Sequence, residues 1–511
     1  MTGKKRYLVQ VPTHVRHAAG FVLDDVTAGI PGDRTVHQSK GGARVLMLDE
    51  AERDALLKAY PGLLIEEDQE LRLLGSMPGL GFQLSDDAGR VLEFVVVDEK
   101  TDEPIAGVTL FAQGAHATYR ADTGPDGRAA VTVFEAAIER VIVSPAAGYW
   151  SRVVAAPAAG TPGKAALAPL VPQGSAAWNR GLLGLDAQFP FRGQGVKVAL
   201  IDSGIAEHPD LVVAGGVNTL DGEDPQAFRR DEKGHGTHCA GIVAGRGADA
   251  GVLGIAPDAE IFSVKVFPGG RLSDLVEGLQ WAIDHRMDVV SMSLGLREPS
   301  AQLAMKLAEA AHQGIVLVAA TGNDGSTLSH PAADEGVLGV GAFGSTQAFP
   351  PDSAHVLRVG ALHDASSGFF VADFSNHGPR TAFIAPGVAI VSSVPGGYAA
   401  WDGTSMACPH ITGLAALLLG AHPELATRNL QRVRSVHAML AAGSADLGVA
   451  AEFQGSGMPR ADRMLGELVG RHQATARLAV ARQDDLSRLE PLIADLERQQ
   501  QEILALLAQL D

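Results

Sequence analysis

Between residues 179 and 455 the chain repeats one pattern: short runs that are apolar almost throughout, then longer stretches with a single apolar face. Residues 196–201 (VKVALI), 261–267, 288–295 and 315–320 are such runs. They read as strands buried on both sides. Residues 272–285 and 301–313 lie between them with helical spacing of their apolar positions. This alternation predicts an α/β domain whose mostly parallel sheet is flanked by helices. In such sheets, reactive side chains gather at strand ends and helix starts.

Three other patterns precede that domain. Residues 5–75 read as a small α+β unit with strands at 6–11 and 43–48. Asp49 is placed to cap a helix that runs to Ala59, with Glu50, Glu52 and Asp54 near its positive end. Pro61-Gly62 stops that helix, and residues 63–68 lead into a last strand. Residues 81–153 hold short strand-like runs separated by turn signals such as Gly124-Pro125-Asp126-Gly127, which predicts a small β-sandwich. Residues 154–178 are rich in Ala, Pro and Gly and read as a linker open to nicking.

The tail, 462–511, is polar and helical in pattern. Leu486, Leu489, Ile493, Leu496, Gln500, Ile503, Leu507 and Leu510 recur at alternating spacings of 3 and 4, a heptad with one polar position. Pro491 marks a kink or the true start of that helix. Three readings stand: a homo-oligomer through this coiled-coil-like helix, docking on the protein's own body, or a loose helix.

Length and charge narrow the classes. A chain of 511 residues exceeds a single core, so about three or four domains are expected. The formal net charge of −18 argues against nucleic acid or an anionic membrane as partner. No long uninterrupted apolar run resembles a membrane span. The first ten residues have a basic front without an apolar stretch of signal-peptide length, so a cytoplasmic protein is expected, with non-classical secretion as the alternative. The two cysteines, Cys239 and Cys408, form no disulfide framework. They read as buried thiols, as thiols that tune a reactive site, or as a mutual bond, which a reducing compartment disfavours.

Three short segments carry chemistry. Gly403-Thr404-Ser405-Met406-Ala407-Cys408-Pro409-His410 places a serine at the head of an apolar helix, where unpaired N–H groups and the helix dipole favour negative charge. Asp202 follows the strand at 196–201. His235 lies in Gly234-His235-Gly236-Thr237-His238. An imidazole can take the Ser405 proton near neutral pH and return it to a leaving amine. A carboxylate can fix the imidazole tautomer and stabilise its charged form. Thr237 and His238 read as scaffold, because two histidines without a third ligand make no metal site. Singly, each residue has a structural explanation as a turn cap, a helix-face histidine or a helix cap. Together they point to an enzyme.

The order Asp202, His235, Ser405 and the motifs around them resemble the subtilisin-like serine peptidases over about residues 175–455. Ala385-Pro386-Gly387 and Phe374-Ser375-Asn376-His377-Gly378-Pro379 fit the same family. The resemblance implies a catalytic Asp–His–Ser triad and, at Asn323, an oxyanion-hole amide; these roles are long established for the family and are carried over, not read from spacing. It implies that Ser293, Leu294 and Gly295 pair with substrate backbone and wall a specificity pocket opposite Ala320, Thr321 and Gly322. Small residues there suggest room for a large apolar or aromatic side chain. Residues 326–353 depart from the family pattern and look longer or rearranged. No cofactor is required for this chemistry. Structural calcium, common in the family, finds no full ligand set, and Asp210, Asp221, Glu223 and Asp224 read as surface carboxylates; no metal ligand is assigned.

Residues 5–75 resemble the family's inhibitory prodomain, which implies a strand at about 70–75 lying in the cleft with Leu73 and Leu74 as pocket fillers. The β-sandwich resembles transthyretin-like and carboxypeptidase-regulatory-like modules, and its insertion leaves the maturation site open among residues 74–80, the 154–178 linker, both or neither. The sum is a serine endopeptidase acting on protein or peptide substrates through an acyl-enzyme, made as a latent, self-processing zymogen. An inactive binding scaffold and an ester hydrolase are the competing classes; intact Asp202, His235, Asn323 and Ser405 argue against the first.

Overall fold

The computed structural model describes residues 3–12, 15, 21–38, 42–74, 89–158, 160–248, 251–364 and 366–474. The chain divides into two compact units, Met1–Ala187 with Phe191–Met464, and Gln188–Pro190 with Leu465–Asp511. In the second, helix continues to residue 474; the heptad positions from 486 onward lie outside the described residues, as does the segment 75–80.

The first unit is built on a large sheet. Val213–Asn218, Glu260–Lys265, Lys197–Asp202, Val289–Met292, Val316–Ala320 and Val337–Ser345 lie side by side, all parallel. Phe369–Ala372 then pairs antiparallel with the end of Val337–Ser345, and Thr381–Pro386 pairs parallel with it. The expected apolar runs are these central strands, and every residue of Val289–Met292 and Val316–Ala320 is buried. Helices Leu272–Asp284 and Ala301–His312 cover the sheet on the side where residues 5–74 pack, as their apolar stripes require. The atypical stretch 326–353 contains Val337–Ser345, nine buried residues in the body of the sheet.

Helix Thr404–Ala421 is, by length and composition, apolar enough to cross a membrane, contrary to the sequence reading. It is instead a core helix, its 18-residue window 89% buried inside the protein.

Among the described residues of 5–74, strands Lys5–Gln10 and Ala43–Leu48 and helix Glu50–Ala59 are joined by Leu23–Thr27, a 3-10 turn at Gly32–Arg34 and strand Thr35–Gln38. Asp49 caps Glu50–Ala59 reciprocally: its Oδ1 accepts from Glu52 N–H (2.9 Å) while Glu52 Oε2 accepts from Asp49 N–H (3.0 Å). Strand alternation splits this sheet between two cores. Tyr7, Val9, Leu46 and Leu48 face Leu23, Val26 and Leu63 within the unit. Leu8, Ala43 and Val45 face the other way and join the core of helices 272–284 and 301–312. Burying a side chain such as Leu8 contributes about 1.5–3 kcal/mol to that contact.

Two acids then bind the starts of the two helices, where unpaired N–H groups and the dipole favour anions. Glu66 accepts from Ser300 Oγ (2.5 Å) and from the N–H groups of Ala301 (2.8 Å) and Gln302 (3.3 Å). Asp68 accepts from Ser273 N–H (2.9 Å) and Oγ (3.0 Å), with Arg6 Nε 3.1 Å away.

Residues 90–167 form two small sheets around one core. The four-stranded sheet runs Arg152–Val154, Ile138–Ser144, Thr109–Gly114, Thr118–Asp122; the three-stranded one runs Gly163–Leu167, Arg90–Asp98, Arg128–Val133. Phe94, Leu110, Val131, Val141 and Leu167 meet between them. The stretch read as a featureless linker is therefore partly a strand: Gly163–Leu167 pairs parallel with residues 94–98, and Ala165 and Leu167 point into the core. Small residues and few apolar positions concealed it.

Candidate active site

Asp202 closes strand Lys197–Asp202 at the C-terminal edge of the sheet. His235 opens helix His235–Ala244 after Gly234, whose φ of 70° is left-handed and suits glycine. Ser405 is the second residue of helix Thr404–Ala421, after Gly403 at φ 152°. Here glycine serves close approach, since a Cβ on Gly403 would lie 3.0 Å from the Leu74 carbonyl oxygen.

His235 Nδ1 and Asp202 Oδ1 are 2.7 Å apart, each side chain 3% exposed. Ser203 N–H also donates to that oxygen at 2.7 Å. Burial alone would lower the imidazole pKa, but the Asp202 carboxylate, by charge and hydrogen bond, carries it above its ordinary value. His235 Nε2 is buried and makes no hydrogen bond among the described residues, so the link to Ser405 is not formed here. Ser405 Oγ instead donates to the Leu74 carbonyl (2.8 Å), with Ser293 O at 3.2 Å.

Asn323 faces the same carbonyl. Its Oδ1 accepts from Thr404 N–H (2.9 Å) and Thr404 Oγ1 (2.8 Å), which leaves Nδ2 to donate to Leu74 O. Gly322 N–H donates to Thr404 Oγ1 at 3.1 Å, so the turn at 320–323 and the helix head hold one another. Leu73 and Arg72 pair antiparallel with Leu294 and Gly295. The Leu74 side chain lies against Gly295, where a Cβ would be 3.3 Å from both of its methyls. Ser293 Oγ donates to Ser405 O at 3.0 Å. Ala320 and Thr321 are fully buried beside this turn.

Several supporting residues escaped the sequence reading. Asp231 anchors the start of the histidine helix: it accepts from Gly234 N–H (2.8 Å), Thr237 N–H (2.9 Å), Thr237 Oγ1 (2.6 Å) and Ser203 Oγ (2.8 Å). An acid shortly before a helix start was the available signal. Trp401 stacks on His238 with ring centroids 4.6 Å apart. His238 Nε2 lies 3.0 Å from Ile390 O and 3.2 Å from Ala399 O, and burial pushes its pKa down to about 3, which makes it a neutral structural group.

Cys239 and Cys408 are both free and buried. Cys239 Sγ lies 3.5 Å from Ser405 O and 3.9 Å from His235 Nδ1. Asp202, His235 and Cys239 come close enough together for one ion. The chemistry fits poorly: burial pushes the Cys239 thiol well above its usual pKa, and metal binding needs the thiolate. Among the four acids read as surface carboxylates, Asp210 is a correction. It is 0% exposed and accepts from Val252 N–H at 2.8 Å, a partner far along the chain that satisfies the buried carboxylate.

The profile of the Subtilase family matches residues 193–465. The chain is 41% identical to Subtilisin E of Bacillus subtilis over 238 residues, 46% of this chain and 58% of that protein. It is 39% identical to Subtilisin BL of Lederbergia lenta over 256 residues, 49% of this chain and 82% of that one. It is 41% identical to Subtilisin of Bacillus pumilus over 238 residues, 46% and 80% respectively. The chain thus spans less than two thirds of Subtilisin E and about four fifths of the other two. These relatives overturn the expected cytoplasmic location, since they are extracellular, secreted subtilisins. That expectation rested on a missing apolar leader, and an absence of that kind carries no information about compartment. By its matched domain and these identities the chain belongs to the subtilase family, a family of serine endopeptidases.

Proposed function

We propose that this protein is a serine endopeptidase that cleaves polypeptides through an acyl-enzyme and is held latent by its own residues 5–74. Ser405 attacks the substrate carbonyl. His235 takes its proton and later hands it to the leaving amine, while Asp202 holds Nδ1–H and stabilises the imidazolium. Asn323 Nδ2, with the Ser405 N–H at the helix start, receives the developing oxyanion. Substrate adds as an extended strand along Leu294–Gly295, its side chain before the cleaved bond entering the pocket between 293–295 and 320–322. No cofactor takes part in these steps.

One observation carries the reading: a peptide carbonyl, that of Leu74, is held jointly by Ser405 Oγ and Asn323 Nδ2, while the residues before it pair with Leu294–Gly295. Residues 5–74 are then an inhibitory prodomain with Leu73 and Leu74 as its blocking residues, and residues 89–167 a β-sandwich module. Association through the C-terminal heptads is part of the same proposal.

Mass spectrometry of purified wild type beside Ser405→Ala, with fluorophosphonate labelling of both, tests it. Wild type should label on Ser405 and cut itself. Ser405→Ala should do neither, and self-cutting that survives in that variant overturns the reading.

A further inference from the structure

The two-sheet unit is fixed to the peptidase domain along one side. Gly148 N–H donates to Tyr398 O and Val153 N–H to Asp352 O, both at 2.8 Å. Arg152 meets the Asp352 carboxylate at 2.7 Å, and the Trp150 ring sits edge-on to His355 with centroids 5.8 Å apart. On the sheet face so held, Phe111 and Ile142 are direct cross-strand partners. Their neighbours Leu110, Ala112, Val141 and Val143 point into the unit's own core, so alternation turns these two outward. Large apolar side chains on the outer face of a sheet are ordinarily wet. Phe111 is 3% and Ile142 6% exposed. They border a cleft of about 740 Å³ whose opposite wall includes His235, His355, Trp401 and Met406.

That cleft lies on the leaving-group side of Ser405. The strand leading to the Leu74 carbonyl runs along Leu294 and Gly295, neither of which borders the cleft, and within residues 70–74 only Leu73 reaches its edge. His235 does border it, and its Nε2, which has no partner among the described residues, is the group that protonates the departing amine. Whatever that amine carries must pass His235 into this chamber. A second buried imidazole waits there. His355 is 4% exposed, its Nδ1 is 2.6 Å from Asp402 Oδ1, and its Nε2 has no partner among the described residues. With Nδ1–H given to the carboxylate, Nε2 offers a lone pair, and buried polar atoms of this kind are normally satisfied.

We propose that the outer face of the two-sheet unit is a wall of the substrate cleft: the chamber takes the polypeptide segment C-terminal to the cleaved bond. Phe111 and Ile142 contact apolar side chains of that segment, and His355 Nε2 accepts one of its N–H groups. The added domain thereby sets specificity on the side of the bond that the pocket at 293–295 does not touch. This inference rests on the peptidase reading above.

The test compares the wild-type protein after self-cutting with its Phe111→Ala/Ile142→Ala variant treated alike, on two substrates that share an acyl half. One is a peptidyl p-nitroanilide, with no amino acid after the bond. The other is an internally quenched peptide with four residues there, the first three apolar. The ratio of kcat/KM, peptide over anilide, should fall about tenfold in the variant, the scale of discrimination given by a few apolar contacts. A ratio that stays put overturns the proposal. A second readout needs no variant: wild type digesting a peptide library should enrich apolar residues at the first three positions after the cut, and no preference there overturns the proposal equally. Failure of the underlying peptidase reading looks different, with no anilide hydrolysis and no fluorophosphonate label on Ser405 in wild type.

Discussion

The carbonyl oxygen of Leu74 lies 2.8 Å from Ser405 Oγ and also accepts the side-chain amide of Asn323. Nucleophile and anion-binding amide thus converge on one oxygen supplied by a segment 331 residues earlier in the chain. Convergence of that kind is what a hydrolytic site needs, and it gives each participant a separable test.

Asn323→Ala should lower kcat while KM changes little, because the amide matters most once charge develops on the oxygen. The expected loss is about 10²–10³-fold, the figure measured for such a donor within this family rather than one deduced for this chain. Steady-state kinetics on a soluble peptide substrate checks it. A KM effect with unchanged kcat would place Asn323 in ground-state binding only.

The pH profile should report His235. Its pKa is raised, so the imidazole stays protonated, and useless as a base, to higher pH than an ordinary histidine. The acid limb of kcat/KM should therefore have its midpoint above 6.5, with activity present above that point and lost as pH falls through it. Asp202→Asn removes the charge responsible. It should shift the limb downward and cut kcat by about 10⁴-fold, as loss of this acid does in triads generally.

Asp274 lies where residues 5–74 meet the peptidase domain, next to Asp68, Arg6 and Asp221. Burial, with help from the Asp68 and Asp221 carboxylates and against the Arg271 N–H and Arg6, pushes it up to about 7. A raised acid stabilises the fold fully below its ordinary pKa of 3.8, and that contribution is lost as pH rises towards about 7. In a Ser405→Ala background, Asp274→Asn should flatten the dependence of the urea midpoint on pH between about 4 and 7. An unchanged slope would show that the carboxyl titrates normally.

Glu66 gathers three donors at the head of helix Ala301–His312. Glu66→Ala should weaken the grip of residues 5–74 by about 1 kcal/mol, the typical worth of a helix cap. Activity should then emerge several-fold sooner after refolding than in wild type. No change in that lag would mean the contact with Leu8 and Val45 suffices alone.

The sequence made local features legible. Apolar runs such as 315–320 marked the central strands, Asp49 with Glu52 marked a capped helix, and the short motifs around Asp202, His235 and Ser405 marked the chemistry. Each depends on residues a few positions apart. The sequence concealed what depends on distance. Nothing near Asp68 announces Ser273, 205 residues away, and nothing near Phe111 announces Trp401. The strand Gly163–Leu167 was hidden because pairing with residues 94–98, not composition, makes it a strand. Asp210 read as an exposed acid because its burial goes with a contact to Val252, 42 positions along the chain.

The amino-acid order alone therefore determined the elements and the reactive groups, since backbone preference and side-chain pKa are properties of short segments. Only the folded chain decided that the Leu74 carbonyl is the one Ser405 and Asn323 share, that His235 Nε2 has no partner among the described residues, and that Phe111 and Ile142 overlook the cleft. Those facts are set by packing free energy between elements hundreds of residues apart, which no local pattern encodes.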